Sequence, residues 1–97
     1  MGLSFHRLLT HDLRAVQTYY EEEVGVDLSQ RFYREFEALA LQIDRNPRRF
    51  HQVSDGLRRA NFRSFPYHLL FYEIAGGVRI LVLRHHRRSP DYGIERR

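Results

Sequence analysis

The sequence predicts an α+β domain: one strand, an antiparallel two-helix hairpin, then a three-stranded antiparallel meander, with the helices on one face of the sheet. Three observations carry this. Leu28, Phe32, Phe36, Leu39 and Ile43 recur at intervals of four, four, three and four, the period of a helix that buries one face. Beyond Asn46-Pro47 the period changes, and Leu57–Phe62, Tyr67–Ala75 and Val78–His86 are rich in the aromatic and branched residues that favour strands. Between the last two runs stands Gly76-Gly77, a two-residue hairpin turn, because glycine tolerates the positive φ such turns require.

Each element has its local reason. Leu3-Ser4-Phe5-His6-Arg7-Leu8 alternates loosely and reads as a short first strand. Thr10 or Asp12 offers an N-cap for a first helix, which places Leu13, Val16, Tyr20 and Val24 on one face and ends at Gly25. Asp27 opens the second helix with Gln30 at the capping-box position, and Asn46-Pro47 stops it, since the residue before proline is pushed out of the helical region. A short glycine-containing turn between two helices makes them an antiparallel hairpin. The pairing of the first strand is not legible. Ser89 to Arg97 is polar and basic, either a frayed tail or a segment that orders on a partner.

Size and composition narrow the function. The 97 residues form a single domain, 1–97, whose 42% hydrophobic and 13% aromatic content suffices for a packed core. Without cysteine there is no disulfide framework and no thiolate zinc site. Met1 to His11 lack a signal-peptide pattern, and the apolar runs Leu69–Ile74 and Ile80–Leu83 are too short to span a bilayer, so the expectation is a cytoplasmic protein with no membrane partner. The net charge of +4 is unevenly spread: residues 1–47 carry five Arg against eight acids, residues 48–97 eleven Arg against four. That asymmetry points to a face that meets a polyanion or an acidic protein. All sixteen basic residues are Arg, which a GC-rich genome explains, whereas their clustering suits guanidinium recognition of phosphate or carboxylate.

The two-glycine turn also fixes an expected register. With Ala75 and Val78 flanking it, Glu73 faces Ile80, Phe71 faces Val82, Leu69 faces Arg84 and Tyr67 faces His86. On the other face Ile74 meets Arg79, Tyr72 meets Leu81, Leu70 meets Leu83 and His68 meets His85. Both histidine pairs then lie at the sheet end farthest from the turn, with Arg63, Arg84, Arg87 and Arg88 nearby. Paired histidines disfavour each other's protonation and so keep a base available, guanidinium groups steady a phosphate, and Tyr92 could lend a hydroxyl. These parts would suffice for attack of a ribose 2′-OH on its neighbouring phosphodiester. The competing reading makes His68 and His85 strand residues and the arginines a solvated rim. His6, His11 and His51 match no zinc spacing, Glu21-Glu22-Glu23 is a solvated helix end, and no Gly-rich phosphate loop or G-x-S-x-G elbow is present. No metal or other cofactor is expected.

Several of these stretches, in this order, resemble the RelE/ParE superfamily, the toxins of type II toxin–antitoxin systems. They are Tyr19-Tyr20, Asn46-Pro47, Leu57-Arg58-Arg59, Phe65-Pro66-Tyr67 and Arg84-His85-His86-Arg87-Arg88-Ser89-Pro90. The resemblance runs from about Leu3 to Tyr92 and implies a growth-inhibiting toxin held in a hetero-oligomer by a small cognate antitoxin. ParE-like members poison DNA gyrase without catalysis; RelE-like members enter the ribosome and cut mRNA, and would be metal-independent endoribonucleases. Phe65-Pro66-Tyr67 and the His-x-Arg-Arg-x-Pro strand end, His85 to Pro90, stand closer to the ParE side, which makes gyrase inhibition the leading expectation. On the RelE side the catalytic candidates are His68, His85, His86, Arg87 and Tyr92, with Arg58, Arg59, Arg63, Arg84 and Arg88 binding phosphate, target or antitoxin. His68 stands where that branch usually has arginine, and no lysine is present. A degenerate member that binds antitoxin without toxicity is the third reading.

Overall fold

The computed structural model describes residues 2–97. The elements are β1 (Gly2–Phe5), α1 (Leu9–Glu23), α2 (Val26–Arg45), a 3₁₀ turn (Pro47–Arg49), β2 (His51–Ser54), β3 (Leu57–Asn61), β4 (Tyr67–Ile74) and β5 (Gly77–His85). They form a five-stranded sheet in the order β1-β5-β4-β3-β2. β1 runs parallel to β5, and every other neighbour is antiparallel. The α+β architecture with a helical hairpin on one sheet face is as the sequence predicts.

The apolar stripe of α2 carries the core. Phe32 and Ile43 are fully buried, and Phe36 and Leu39 nearly so. Phe32 stacks on Phe62 at 4.8 Å and meets Phe65 edge-on at 5.0 Å, so aromatic packing adds to the backbone bonds, Phe62 N–H to the Tyr67 carbonyl and Tyr67 N–H to the Phe65 carbonyl, that shape the loop into β4. Neither helix is capped by a side chain. α1 starts at Leu9 rather than after Thr10 or Asp12, and α2 starts at Val26, so the expected Asp27/Gln30 capping box does not form. Gly25, at φ 147°, makes the reversal between them, its N–H bonding the Tyr20 carbonyl. Val24 lies on solvent, outside the buried face expected for it.

The sheet corrects the sequence in three places. β2 was not foreseen; its four residues are all exposed, so no burial pattern marks it. The hairpin turn is Ala75-Gly76, closed by Ile74 and Gly77, with φ 80° at Gly76. The expected register is therefore displaced: Phe71 pairs with Ile80, a bulge at Leu81 follows, and then Leu70 pairs with Val82, Leu69 with Leu83, His68 with Arg84 and Tyr67 with His85. The bulge points Leu81 and Val82 to the same face. There they join Leu57 and Leu70 in a small cluster opposite the helices, with Tyr72 and Tyr92 packed against it.

Gly77 is glycine for a long-range reason. β1 passes so close that a Cβ on Gly77 would overlap the Gly2 carbonyl. No rotamer relieves a backbone overlap, so Gly77→Ala must push β1 away from β5. We expect a loss of about 1–3 kcal/mol in chemical denaturation; an unchanged midpoint would refute the close approach.

The third correction concerns residues 89–97. They are not a frayed tail. The segment turns back over the sheet face opposite the helices, with Gly93 against Val82 and Arg96 buried. Among the described residues no helix is long and apolar enough to cross a membrane.

Candidate functional site

The turn-distal end of the sheet gathers Arg59 and Asn61 from β3, His68 from β4, Arg84 and His85 from β5, and His86 just beyond. The His86 N–H bonds the Pro66 carbonyl, so the Phe65-Pro66-Tyr67 entry to β4 also holds the end of β5 in place. His68 is only 1% exposed and faces away from the helices. Its side-chain partner is His86, not the His85 expected from the displaced register. The two rings lie nearly parallel, 11° apart, with Nδ1 3.0 Å from Nδ1. His85 instead turns to the helix side, edge-on to Tyr67 at 5.0 Å.

Which nitrogens carry protons follows from the fixed donors. The Arg84 Nε–H donates to His68 Nε2 at 2.9 Å, and a guanidinium has no lone pair to accept with. His68 therefore holds its proton on Nδ1 and donates it to His86 Nδ1. Arg59 Nη2 also donates to that His86 nitrogen, at 3.2 Å. His86 Nδ1 is an acceptor twice over, so the neutral ring carries its proton on Nε2. His85 reaches the same form independently, since its Nδ1 accepts the Arg87 N–H at 2.9 Å. All three rings have their lone pair engaged from within the chain.

Charge reinforces this. Burial first, then Arg59, Arg84 and the neighbouring histidines, push His68 down to about 3. His86 is lowered by burial and then by Arg59 and His85. His68 and His86 are thus imidazoles held towards the neutral form among cations, able to donate hydrogen bonds and poorly placed to take a proton.

The arginines divide into committed and free. Arg84 gives Nη1 to the carbonyls of Pro90, at 2.8 Å, and Tyr92, at 3.2 Å, and so ties the C-terminal segment to the histidines. Arg59 uses Nε on Asn61 at 2.8 Å. Arg87 is exposed, and Arg88 lies 3.9 Å over the Tyr92 ring. Two candidates stand elsewhere. Arg58 bonds the Phe50 carbonyl at 2.7 Å and approaches Glu73, and Arg63 is exposed on a loop whose backbone N–H groups bond Glu35. Tyr92 reaches the sheet end, but its hydroxyl donates to Asp12 at 2.7 Å rather than to a histidine.

Asp12 and Arg96 are the residues sequence reasoning missed. β1 leaves β5 at Ile80, which would orphan the β5 edge beyond it. Asp12 accepts the Leu83 N–H at 3.2 Å, and Arg96 Nη1 donates to the Leu81 carbonyl at 3.0 Å. The two side chains pair with each other at 2.6 Å, both nearly dry. Asp12 could have been noticed, because it lies in phase with Val16 and Tyr20 on the face of α1 that should be apolar. Arg96 left no such signal. Between α1 and the sheet end opens a cleft of about 260 Å³, bordered by His11, Tyr19, His85 and Arg88.

A mostly antiparallel sheet with a helical hairpin on one face and an arginine–histidine end defines a small α+β domain with a cationic binding edge. A family model described as "ParE toxin of type II toxin-antitoxin system, parDE" matches residues 3–90, and the chain belongs to that family. Among solved structures it is similar to a chain of the chromosomal ParDE toxin–antitoxin system from P. aeruginosa. That likeness has a TM-score of 0.78 at 16% identity, covering 88% of this chain and 95% of the other, and speaks to the fold. The search of curated proteins found no match.

Proposed function

We propose that this protein is a toxin that acts by binding a large target without catalysis, with DNA gyrase as that target, and that a cognate antitoxin neutralises it in the cytoplasm. The supporting observation is the set of hydrogen bonds to the histidine ring nitrogens, from which the positions of their protons follow. A general base needs a ring lone pair aimed at the proton it removes. Here the Nδ1 atoms of His85 and His86 accept hydrogen bonds from within the chain, and Nε2 of each neutral ring carries a proton. His68 is buried and its Nε2 is taken by Arg84. Membership of the ParE family agrees with this reading.

The antitoxin would meet two surfaces. One is the arginine-bearing sheet end, where an acidic segment finds uncommitted charge at Arg87. The other is an apolar groove of about 510 Å³ between β1 and the helices, lined by Phe5, Leu13, Tyr33 and Leu41. An amphipathic acidic segment could cover both.

A supercoiling assay with purified gyrase tests the target. Addition of the toxin should inhibit supercoiling, pre-incubation with antitoxin should restore it, and His86→Ala should retain about a tenth of the potency or more, since loss of one neutral hydrogen bond to a protein target costs about 0.5–1.5 kcal/mol. Undisturbed supercoiling at excess toxin would remove gyrase as the target.

A further inference from the structure

The histidine stack does more than exclude a base. We infer that His68 is a positioning residue that locks His86 as a hydrogen-bond donor, and that the His86 Nε2–H and the Arg59 guanidinium form a donor-only site for the oxyanion of a phosphate ester. This deepens the reading of the sheet end as a binding surface and rests on it.

The lock has a direction. Arg84 can only donate, so His68 Nε2 must accept, His68 Nδ1 must donate and His86 Nδ1 must accept. The chain of three groups delivers one outcome at the surface, an N–H on the exposed edge of His86. Arg84 is in turn held by the Pro90 and Tyr92 carbonyls, so its orientation does not depend on a ligand. Arg59 supports the lock from the other side and keeps Nη1 uncommitted among the described residues.

A site made only of donors selects a group made only of acceptors. Histidine ordinarily interconverts between tautomers, and so tolerates donors and acceptors alike. With the tautomer fixed, hydroxyl and amide ligands lose that accommodation, while an anionic oxygen gains a charge-assisted bond from each side. The cluster's side-chain hydrogen bonds include no carboxylate. Phosphate is favoured over the carboxylates of an acidic peptide by how the cations are spread. Arg59 on β3 and Arg87 and Arg88 beyond β5 span the sheet end, in the half of the chain with eleven Arg against four acids. Cations so dispersed suit the evenly repeated charges of a phosphodiester chain. The phosphate ester could come from a nucleic-acid backbone or from a free nucleotide.

The test is imidazole ¹⁵N NMR on the full-length toxin, followed by titration with inorganic phosphate, adenosine monophosphate, single-stranded oligodeoxythymidylate and hexaglutamate. His86 should show an unprotonated Nδ1 and a protonated Nε2, and its Nε2–H and the Arg59 resonances should move with the phosphate ligands. Tighter binding of the oligonucleotide than of the mononucleotide would identify a backbone, and equal binding a nucleotide; either supports the site. His68→Gln keeps one acceptor and one donor and should leave His86 in its form. His68→Phe should release it and weaken oligonucleotide binding roughly tenfold or more, the value of a hydrogen bond to a charged group. Should His68→Phe not fold, Arg59→Gln should weaken the same binding while leaving the His86 tautomer unchanged. A proton on His86 Nδ1, still resonances on phosphate addition, or hexaglutamate binding as tightly as the oligonucleotide would overturn the inference. DNA and inorganic phosphate lack a reactive 2′-hydroxyl, so RNA cleavage seen elsewhere would refute the non-catalytic reading without touching this result.

Discussion

Asp12→Ala is expected to remove about 3–5 kcal/mol of stability, the cost of leaving one partner of a buried ion pair charged and alone. That is a large part of the total of about 5–15 kcal/mol typical of a domain. The Arg96 side chain is 5% exposed, so water cannot take the place of the lost carboxylate. The Leu83 N–H and the Tyr92 hydroxyl lose their acceptor at the same time. Nor is the pair ideal as it stands, since Arg96 Nε is buried without a partner. Replacing both residues by apolar ones, Asp12→Leu with Arg96→Met, should therefore restore much of the loss. Urea unfolding of the two variants checks this, and a cost below about 1 kcal/mol for Asp12→Ala would refute the account. The effect should reach the candidate site, because the segment that Asp12 anchors supplies the carbonyls that orient Arg84.

The second large effect is on acid stability. His68 titrates at about 3 in the fold, far below the 6.5 of a free histidine. Between those values the unfolded chain binds a proton that the folded chain refuses, so stability is greatest above pH 6.5 and falls as the pH drops towards 3. The slope from this one residue approaches 1.4 kcal/mol per pH unit. His68→Gln removes the titration while keeping a polar side chain that can bond Arg84. The difference in unfolding free energy between wild type and variant should shrink steadily as the pH falls from 6 to 4, at about 1.4 kcal/mol per unit. Carboxylates contribute equally to both curves and cancel. Parallel curves would show that His68 protonates freely and that the burial and cationic surroundings described for it are wrong.

How much of this was legible in the sequence depends on where each feature's cause lies. The α2 stripe could be read because its cause is local: one face of one helix is buried, and Phe32, Phe36, Leu39 and Ile43 repeat at its period. β4 and β5 could be read because both of their faces are apolar. β2 could not, because an exposed edge strand of four residues carries no pattern. The register failed for a tertiary reason. Gly76-Gly77 offered two turn placements, and the choice was made by β1, whose approach to Gly77 is invisible locally. That displacement, with the Leu81 bulge, is why His68 was matched with His85 instead of His86. The composition of the site was nonetheless legible, since alternation and the turn brought histidine and arginine to one sheet end in either register. What could not be read is the wiring: the commitment of Arg84 to the C-terminal segment, and the burial of Arg96, since arginine so rarely lies inside and its polar, basic segment reads as a frayed tail or one that orders on a partner.

The most direct test of a non-catalytic toxin is to add the purified protein to a coupled bacterial translation reaction and map message ends by primer extension. The account predicts intact messages at toxin concentrations that halt gyrase. New cuts within translated codons that disappear on His86→Ala or Arg87→Ala substitution would contradict it, and would make the histidine–arginine cluster an active site.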